Sequence, residues 1–264
     1  MIIDYHIHTD LCGHAEGEME EYVRSAVAKK MDEIGFSDHF PLFHVVAPDL
    51  SMSFDDLPAY INKVRELWNS YKKKIRIKLG IEVEYTAEIE KQTRELLKGY
   101  SFDYIIGSTH FIGKWVFDHP DHKDEWEKRD VYRVYEEYFD QLCRMVSSGL
   151  FDIVGHADLV KKFGYKPKQK LTALYEKLAG LVKKQDMCVE INTSGLRRPV
   201  KEIYPAEELL KICFEKGIPV TLGSDAHAPG DVARDFDKAL ALIRRVGYRK
   251  IAVFSARKRR LVRL

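Results

Sequence analysis

Short apolar runs alternate with longer amphipathic stretches along the whole 264-residue chain. Residues 2–6, 33–37, 104–108, 151–154, 189–192, 219–222 and 250–254 are brief, β-rich and apolar, which predicts strands. Residues 75–84 alternate at period two before an apolar end and predict another. Between them, residues 19–30, 54–73, 87–98, 131–148, 171–184, 206–216 and 236–246 carry apolar positions at helical spacing. Ser53-Phe54-Asp55-Asp56 offers N-cap chemistry before the second helix, and Gly149 and Gly217 stand where two others should stop. The result is seven or eight strand–helix repeats with no linker, low-complexity segment or fixed-period sequence repeat. Strands alternating with helices call for a parallel sheet, and this many call for a barrel formed by residues 1–264 as one domain. The longest connection, residues 111–129, is rich in Trp, His, Asp and Pro. A loop of that length in a compact barrel is expected to be functional.

The polar residues that interrupt this pattern cluster where the strands should end. His6 and His8 follow the first strand, His14 comes soon after, and His39, Glu82, His110 and His156 follow later strands. Asp225 and His227 close the series. Seven of the ten histidines fall in such fragments. In a parallel barrel the C-terminal strand ends meet at one face, so these nine residues should converge there. His6 and His8 are two apart and point the same way in extended chain, as do Asp225 and His227. Imidazole nitrogens and carboxylate oxygens are the ligands zinc, manganese or iron take when water must remain bound for chemistry. Nine exceed one tetrahedral ion and fit two or three divalent transition-metal ions, some bridged by Glu82 or Asp225.

Composition narrows the choice of partner. Lysine and arginine total 43 against 41 acidic residues, a net charge of +2, which gives no support for coating a nucleic acid. No apolar run reaches membrane-spanning length, and the chain enters its first strand at once, so neither membrane span nor signal peptide is expected. Cys12, Cys143, Cys188 and Cys213 are widely spaced without a CxxC pair, which predicts free thiols in a reducing, cytoplasmic setting. Cys12 stands apart because it lies between His8 and His14. The basic run from Arg257 to Arg260, with Arg263, is expected to be solvated or packed on acidic helices.

The fragments DYHIHTD at 4–10, GFSDHF at 35–40, GIEVEY at 80–85, IIGSTHF at 105–111, VGHADL at 154–159, INTSGLR at 191–197 and GSDAH at 223–227 resemble, in order and along the full length, the PHP (polymerase and histidinol phosphatase) superfamily. Within it, GIEVEY, the tryptophan-containing loop after GSTHF and the NTSGLRR segment are similar to the histidinol-phosphatase branch. The resemblance implies a distorted (β/α)7 barrel and a trinuclear zinc, iron or manganese centre whose ligands are the nine residues named above. It also implies hydrolysis of a small phosphate ester, L-histidinol phosphate, in histidine biosynthesis. Bound metals suit that reaction, since they gather phosphate oxygens and bring the pKa of water from 15.7 toward about 7.

For catalysis the candidates are Asp225, His227 and Glu82, with Asp225 taking the nucleophile's proton and His44 or His119 supplying the leaving group's. For phosphate, Arg197 and Arg198 follow a strand and offer a guanidinium fork, while Lys161 and Lys162 follow His156 closely. Trp115 and Phe117 are placed to close over an imidazole ring, with Asp118 facing a primary amine. Two other classes compete with the phosphatase. A nuclease or nucleotide phosphoesterase on the same scaffold is disfavoured by the modest charge, and a structural metal module by the ligand count, since structural zinc closes with four. Metal identity and oligomeric state stay open at this level.

Overall fold

The computed structural model describes residues 1–45 and 49–264. In chain order the strands are β1 (Ile3–Asp4), β2 (Glu33–Phe36), β3 (Arg76–Glu84), β4 (Tyr104–Ser108), β5 (Phe111–Ile112), β6 (Trp115–Val116), β7 (Ile153–Val154), β8 (Cys188–Asn192), β9 (Val220–Gly223), β10 (Lys250–Ser255) and β11 (Lys258–Arg263). The helices are α1 (Met19–Ala28), α2 (Leu57–Tyr71), α3 (Glu90–Leu97), α4 (Val131–Ser147), α5 (Thr172–Lys184), α6 (Glu207–Glu215) and α7 (Phe236–Val246). Strands β1-β2-β3-β4-β7-β8-β9 form one parallel sheet in that order. Its two edges meet where Tyr5 N, just after β1, donates to Leu222 O of β9 at 3.0 Å, and Ala226 N, just after β9, donates to His6 O at 3.1 Å. The architecture is a seven-stranded α/β barrel, as expected.

The inside of the barrel is filled unevenly, and glycine makes room. Tyr104 stands directly opposite Gly80 in the β3–β4 register. Its ring stacks on Tyr5 with centroids 4.6 Å apart, and its hydroxyl donates to Tyr5 O at 2.7 Å. A Cβ added at Gly80 would lie 2.3 Å from the Tyr104 Cζ, and one at Gly35 2.1 Å from its hydroxyl oxygen. A large aromatic therefore occupies space that two neighbouring strands leave empty, a large–small complementarity typical of close-packed interiors.

The end of the chain departs from expectation. Residues 250–254 do form a strand, but β10 pairs antiparallel with β11 instead of supplying another parallel member. The basic run expected to be solvated or packed on acidic helices is largely this second strand. Arg257 forks the Asp152 carboxylate at 2.9 and 3.1 Å, and Arg259 pairs with Asp186 at 2.6 Å. Asp152 and Asp186 precede β7 and β8, and Asp103, which precedes β4, accepts from Ala256 N. The hairpin thus fastens to the end of the barrel where strands begin, opposite the candidate ligands. The 111–129 connection also has more order than its composition suggested: a β5–β6 hairpin runs into a 3-10 helix, Pro120–Lys128.

Gly80→Ala should lower stability by about 1–3 kcal/mol through overpacking against Tyr104. Gly180 lies inside α5 with nothing within 4 Å of an added Cβ. There the alanine variant should be more stable by up to about 1 kcal/mol, because helix interiors disfavour glycine. Urea unfolding of both variants checks the pair, and effects of equal sign would contradict this account of the interior.

Candidate metal centre and its cavity

The barrel mouth is organised around one buried carboxylate, Glu82, near the end of β3. Its Oε2 lies 3.3 Å from His6 Nε2, 3.7 Å from His8 Nε2 and 3.0 Å from His39 Nδ1. Its Oε1 faces the other way, 2.9 Å from His156 Nε2 and 3.8 Å from His110 Nε2, and accepts from Ser108 Oγ at 2.5 Å. Donor atoms of His6, His8 and Glu82 cluster within metal-sharing distance, as do those of Glu82, His110 and His156, of His6, His156 and Asp225, and of His14, His39 and His227. The structure brings all nine expected residues together. Glu82, with an oxygen in two of these groups, is arranged as a bridge.

The strands place these side chains, and the backbone is bent to do so. His6 and His8 sit at i and i+2 after β1, both buried. His156 and Asp225 adopt left-handed backbone, with φ of 22° and 54°. For residues other than glycine such conformations cost on the order of 1–3 kcal/mol each and persist where surroundings hold them. Asp225 is held by Ser194 Oγ at 2.9 Å and Asn192 Nδ2 at 3.4 Å, while His156 N donates to Glu190 Oε2 at 2.8 Å.

Behind the rings stands a set of carboxylates absent from the expected site. Glu190 faces His6 Nδ1 at 2.7 Å, Glu84 faces His110 Nδ1 at 2.8 Å, and Asp38 faces His8 Nδ1 at 3.3 Å. Each holds the Nδ1 side of its ring and leaves Nε2 to point inward, the carboxylate–histidine pairing that orients metal ligands. One signal was in the sequence. Glu190 and Glu84 are charges inside otherwise apolar buried strands, where an unpaired carboxylate is costly.

Under burial, carboxylates and imidazoles shift one another throughout the cluster, raising His6 and His8 and lowering His39 and His227. Burial pushes Glu82 upward, but His6 and His39 outweigh it and hold its carboxyl well below the usual range. Asp225 is likewise depressed against its burial, chiefly by His6 and His8. Burial depresses His39 and His227, favouring the neutral imidazole a metal requires. Burial also opposes charge on His110, but the Glu84 carboxylate beside it lifts its pKa to about 9. His6 Nε2, Glu82 Oε2 and His156 Nδ1 are buried without a hydrogen-bond partner among the described residues. Buried polar atoms are normally satisfied, and metal ions at these positions would satisfy the first two.

Beside this cluster opens a cavity of about 270 Å³. Phe40, Leu42, Leu50, Phe111, Val116 and Leu159 supply its apolar wall, and Asp118, His119, Lys162 and Arg198 its polar one. Asp118 pairs with Lys162 at 2.9 Å; burial raises its pKa, but Lys162 and His110 hold it below the ordinary carboxylate value.

The other expected substrate contacts lie elsewhere. Trp115 and Phe117 are buried in the core while Val116 and Asp118 face the cavity, because alternate residues of an extended segment point opposite ways. Trp115 packs edge-on against Trp126, which stacks on Tyr165. Lys161 is buried, its ammonium bound to Asp158 and to Ile203 O, both at 2.9 Å. Arg197 donates to Ser224 O at 2.6 Å and Asp225 O at 3.3 Å, bracing the loop that carries Asp225 instead of facing the cavity. His44 packs edge-on to Phe111, and among the described residues its buried ring nitrogens have no partner.

A family model described as the PHP domain matches residues 4–194, the segment carrying every ligand candidate except Asp225 and His227. The chain belongs to the PHP family. Among PHP relatives, it is 37% identical to the probable histidinol-phosphatase of Deinococcus radiodurans, over 95% of both chains. It is 30% identical to the histidinol-phosphatase of Bacillus subtilis, over 90% of this chain and 97% of that one. A histidinol phosphate phosphatase from Lactococcus lactis, solved with zinc, L-histidinol and phosphate, shares the barrel with a TM-score of 0.84 at 24% identity over 98% of each chain.

Glu82→Ala should remove at least one ion per chain relative to the parent PHP barrel while far-ultraviolet circular dichroism is unchanged. Glu190→Gln should keep the fold but weaken metal binding by about 10–100-fold, the usual effect of losing a carboxylate behind a ligating histidine. Elemental analysis after dialysis against graded chelator reads both. Full metal content in Glu82→Ala would count against the bridge.

Proposed function

We propose that this protein is a histidinol-phosphatase that hydrolyses L-histidinol phosphate to L-histidinol and phosphate. The observation that carries this reading is the end-to-end match to the histidinol-phosphatases of Deinococcus radiodurans and Bacillus subtilis. The cavity accords with it. Its apolar wall suits a small ring, and the depressed Asp118 carboxylate suits the substrate's ammonium.

The nine ligands would hold two or three divalent ions, drawn from zinc, iron and manganese. Such ions neutralise phosphate charge and supply hydroxide at neutral pH. The protein's own groups complete the site. Arg198 offers a planar fork to two phosphate oxygens. Asp225, fixed by Ser194 and Asn192, is placed to accept the nucleophile's proton. His119 Nδ1 accepts from Asp121 N, which leaves Nε2 to carry a proton to the departing alkoxide. His44, outside the cavity lining, is the weaker candidate for that task. Four unpaired, buried cysteines suit a reducing compartment, and we place the enzyme in the cytoplasm. Among the described residues no helix is long and apolar enough to cross a membrane.

Phosphate release should be greatest with L-histidinol phosphate in a panel that includes sugar phosphates and nucleotides, and should vanish when a chelator strips the metal. A nucleotide turned over more efficiently than histidinol phosphate would overturn the substrate. Arg198→Ala should retain full metal content and lose about ten- to hundred-and-fifty-fold in kcat/KM, equivalent to roughly 1.5–3 kcal/mol for a charged hydrogen bond. Lysine should rescue only part of this, because a point charge cannot fork. For Arg197→Ala the expectation differs: metal content should fall along with activity, since its guanidinium braces the Asp225 loop.

A further inference from the structure

One side chain at the barrel mouth lies outside the expected ligand set. Cys12 belongs to a short 3-10 turn, Asp10–Cys12, that follows His8 and is capped by Thr9 and by Gly13 in left-handed backbone. That turn folds the thiol back toward the histidines. The Cys12 side chain is fully buried, its Sγ lies 3.8 Å from His14 Nε2, and it clusters at metal-sharing distance with ring nitrogens of His8 and His227. His14 and His227 also form the His14–His39–His227 group.

We propose that Cys12 is a sulfur donor to a metal position at the outer side of the cluster, shared with His8 and His227, the rings it groups with, and approached by His14. The distance is consistent with this. Bonds of about 2.3 Å to sulfur and about 2.0–2.1 Å to nitrogen at a tetrahedral angle put the two donors roughly 3.6 Å apart. The observed separation is a few tenths of an ångström longer. The thiol's polar contacts are donation to Thr9 O at 3.1 Å and the 3.8 Å approach to His14 Nε2, and a small side-chain rotation exchanges the first for a metal bond. Binding replaces the S–H bond with a metal–sulfur bond and releases the proton to solvent. Cys143, Cys188 and Cys213 are buried away from the centre and cannot substitute for Cys12.

The chemical consequence is selectivity. Thiolate is a soft ligand that favours zinc over manganese, whereas carboxylate-rich positions accept manganese readily. This position should therefore retain zinc when the others exchange. The inference rests on the metal-centre reading but not on the substrate, so the measurement is metal binding, not turnover.

The test is reconstitution of the metal-stripped full-length protein with cobalt(II), following the near-ultraviolet thiolate-to-cobalt charge-transfer band together with cobalt stoichiometry. The wild type should develop the band on loading. Cys12→Ser and Cys12→Ala should lose it while the other three cysteines remain. Both variants should bind one zinc equivalent at least about tenfold more weakly, since loss of a direct ligand should matter no less than loss of an outer partner. A wild type loaded with two or three cobalt ions and showing no sulfur band overturns the Cys12 assignment and leaves the phosphatase reading intact. A wild type that binds no cobalt overturns both. The wild-type spectrum decides the matter even if a variant fails to fold.

Discussion

Everything at the mouth of this barrel depends on burying negative charge beside imidazole. Glu82 is about 1% exposed and ringed by five histidines from four segments. A carboxylate so far from water is strongly disfavoured unless cations or hydrogen-bond donors replace its hydration. The histidines supply part of that replacement, and His6, His8 and His110 are each oriented by a further carboxylate. Glu190, Glu84 and Asp38 thus add to the problem they help solve, since every added negative charge deepens the local demand for positive charge. Divalent ions answer the demand at once, which makes metal binding an energetic property of the site as well as a catalytic one.

The same demand explains the strained backbone. His156 and Asp225 occupy left-handed conformations after β7 and β9, and each is gripped by a side chain of β8, the strand between them. Glu190 contributes to more than one arm: it holds the His6 ring, the His156 backbone and the Asn192 amide. Through it β8 links the first histidine pair to His156. Arg197 does comparable service from outside the cavity, its guanidinium fixed on the carbonyls of Ser224 and Asp225.

Legibility from sequence followed the physics of each feature. The seven barrel strands and seven helices showed because hydrophobic periodicity records which face is buried. The nine ligand candidates showed because histidine at repeated strand ends has few structural explanations. What failed to show depends on side-chain direction or on long-range pairing. Lys161 and Lys162 are neighbours in sequence, yet one is locked to Asp158 beneath Tyr204 and the other reaches the cavity. The basic run after Arg257 was legible as charge but not as a strand, because its partners Asp152 and Asp186 lie about seventy to a hundred residues away. Glu190 and Glu84 were visible in sequence as acidic residues in apolar strands, and their meaning emerged only with the rings they face.

The alternation along 115–118 carries a further implication. Trp115 and Phe117 anchor the core while Val116 and Asp118 front the cavity, so one short segment serves stability and recognition through separate sets of positions. Substitution at 116 or 118 can reshape what enters the cavity without disturbing the aromatic cluster beneath. Insertion or deletion of a single residue before Trp115 cannot, because it would exchange the two sets, turning indole toward the cavity and a carboxylate into the core. Evolutionary drift in ligand preference is therefore open to this loop by point change and closed to it by change of length.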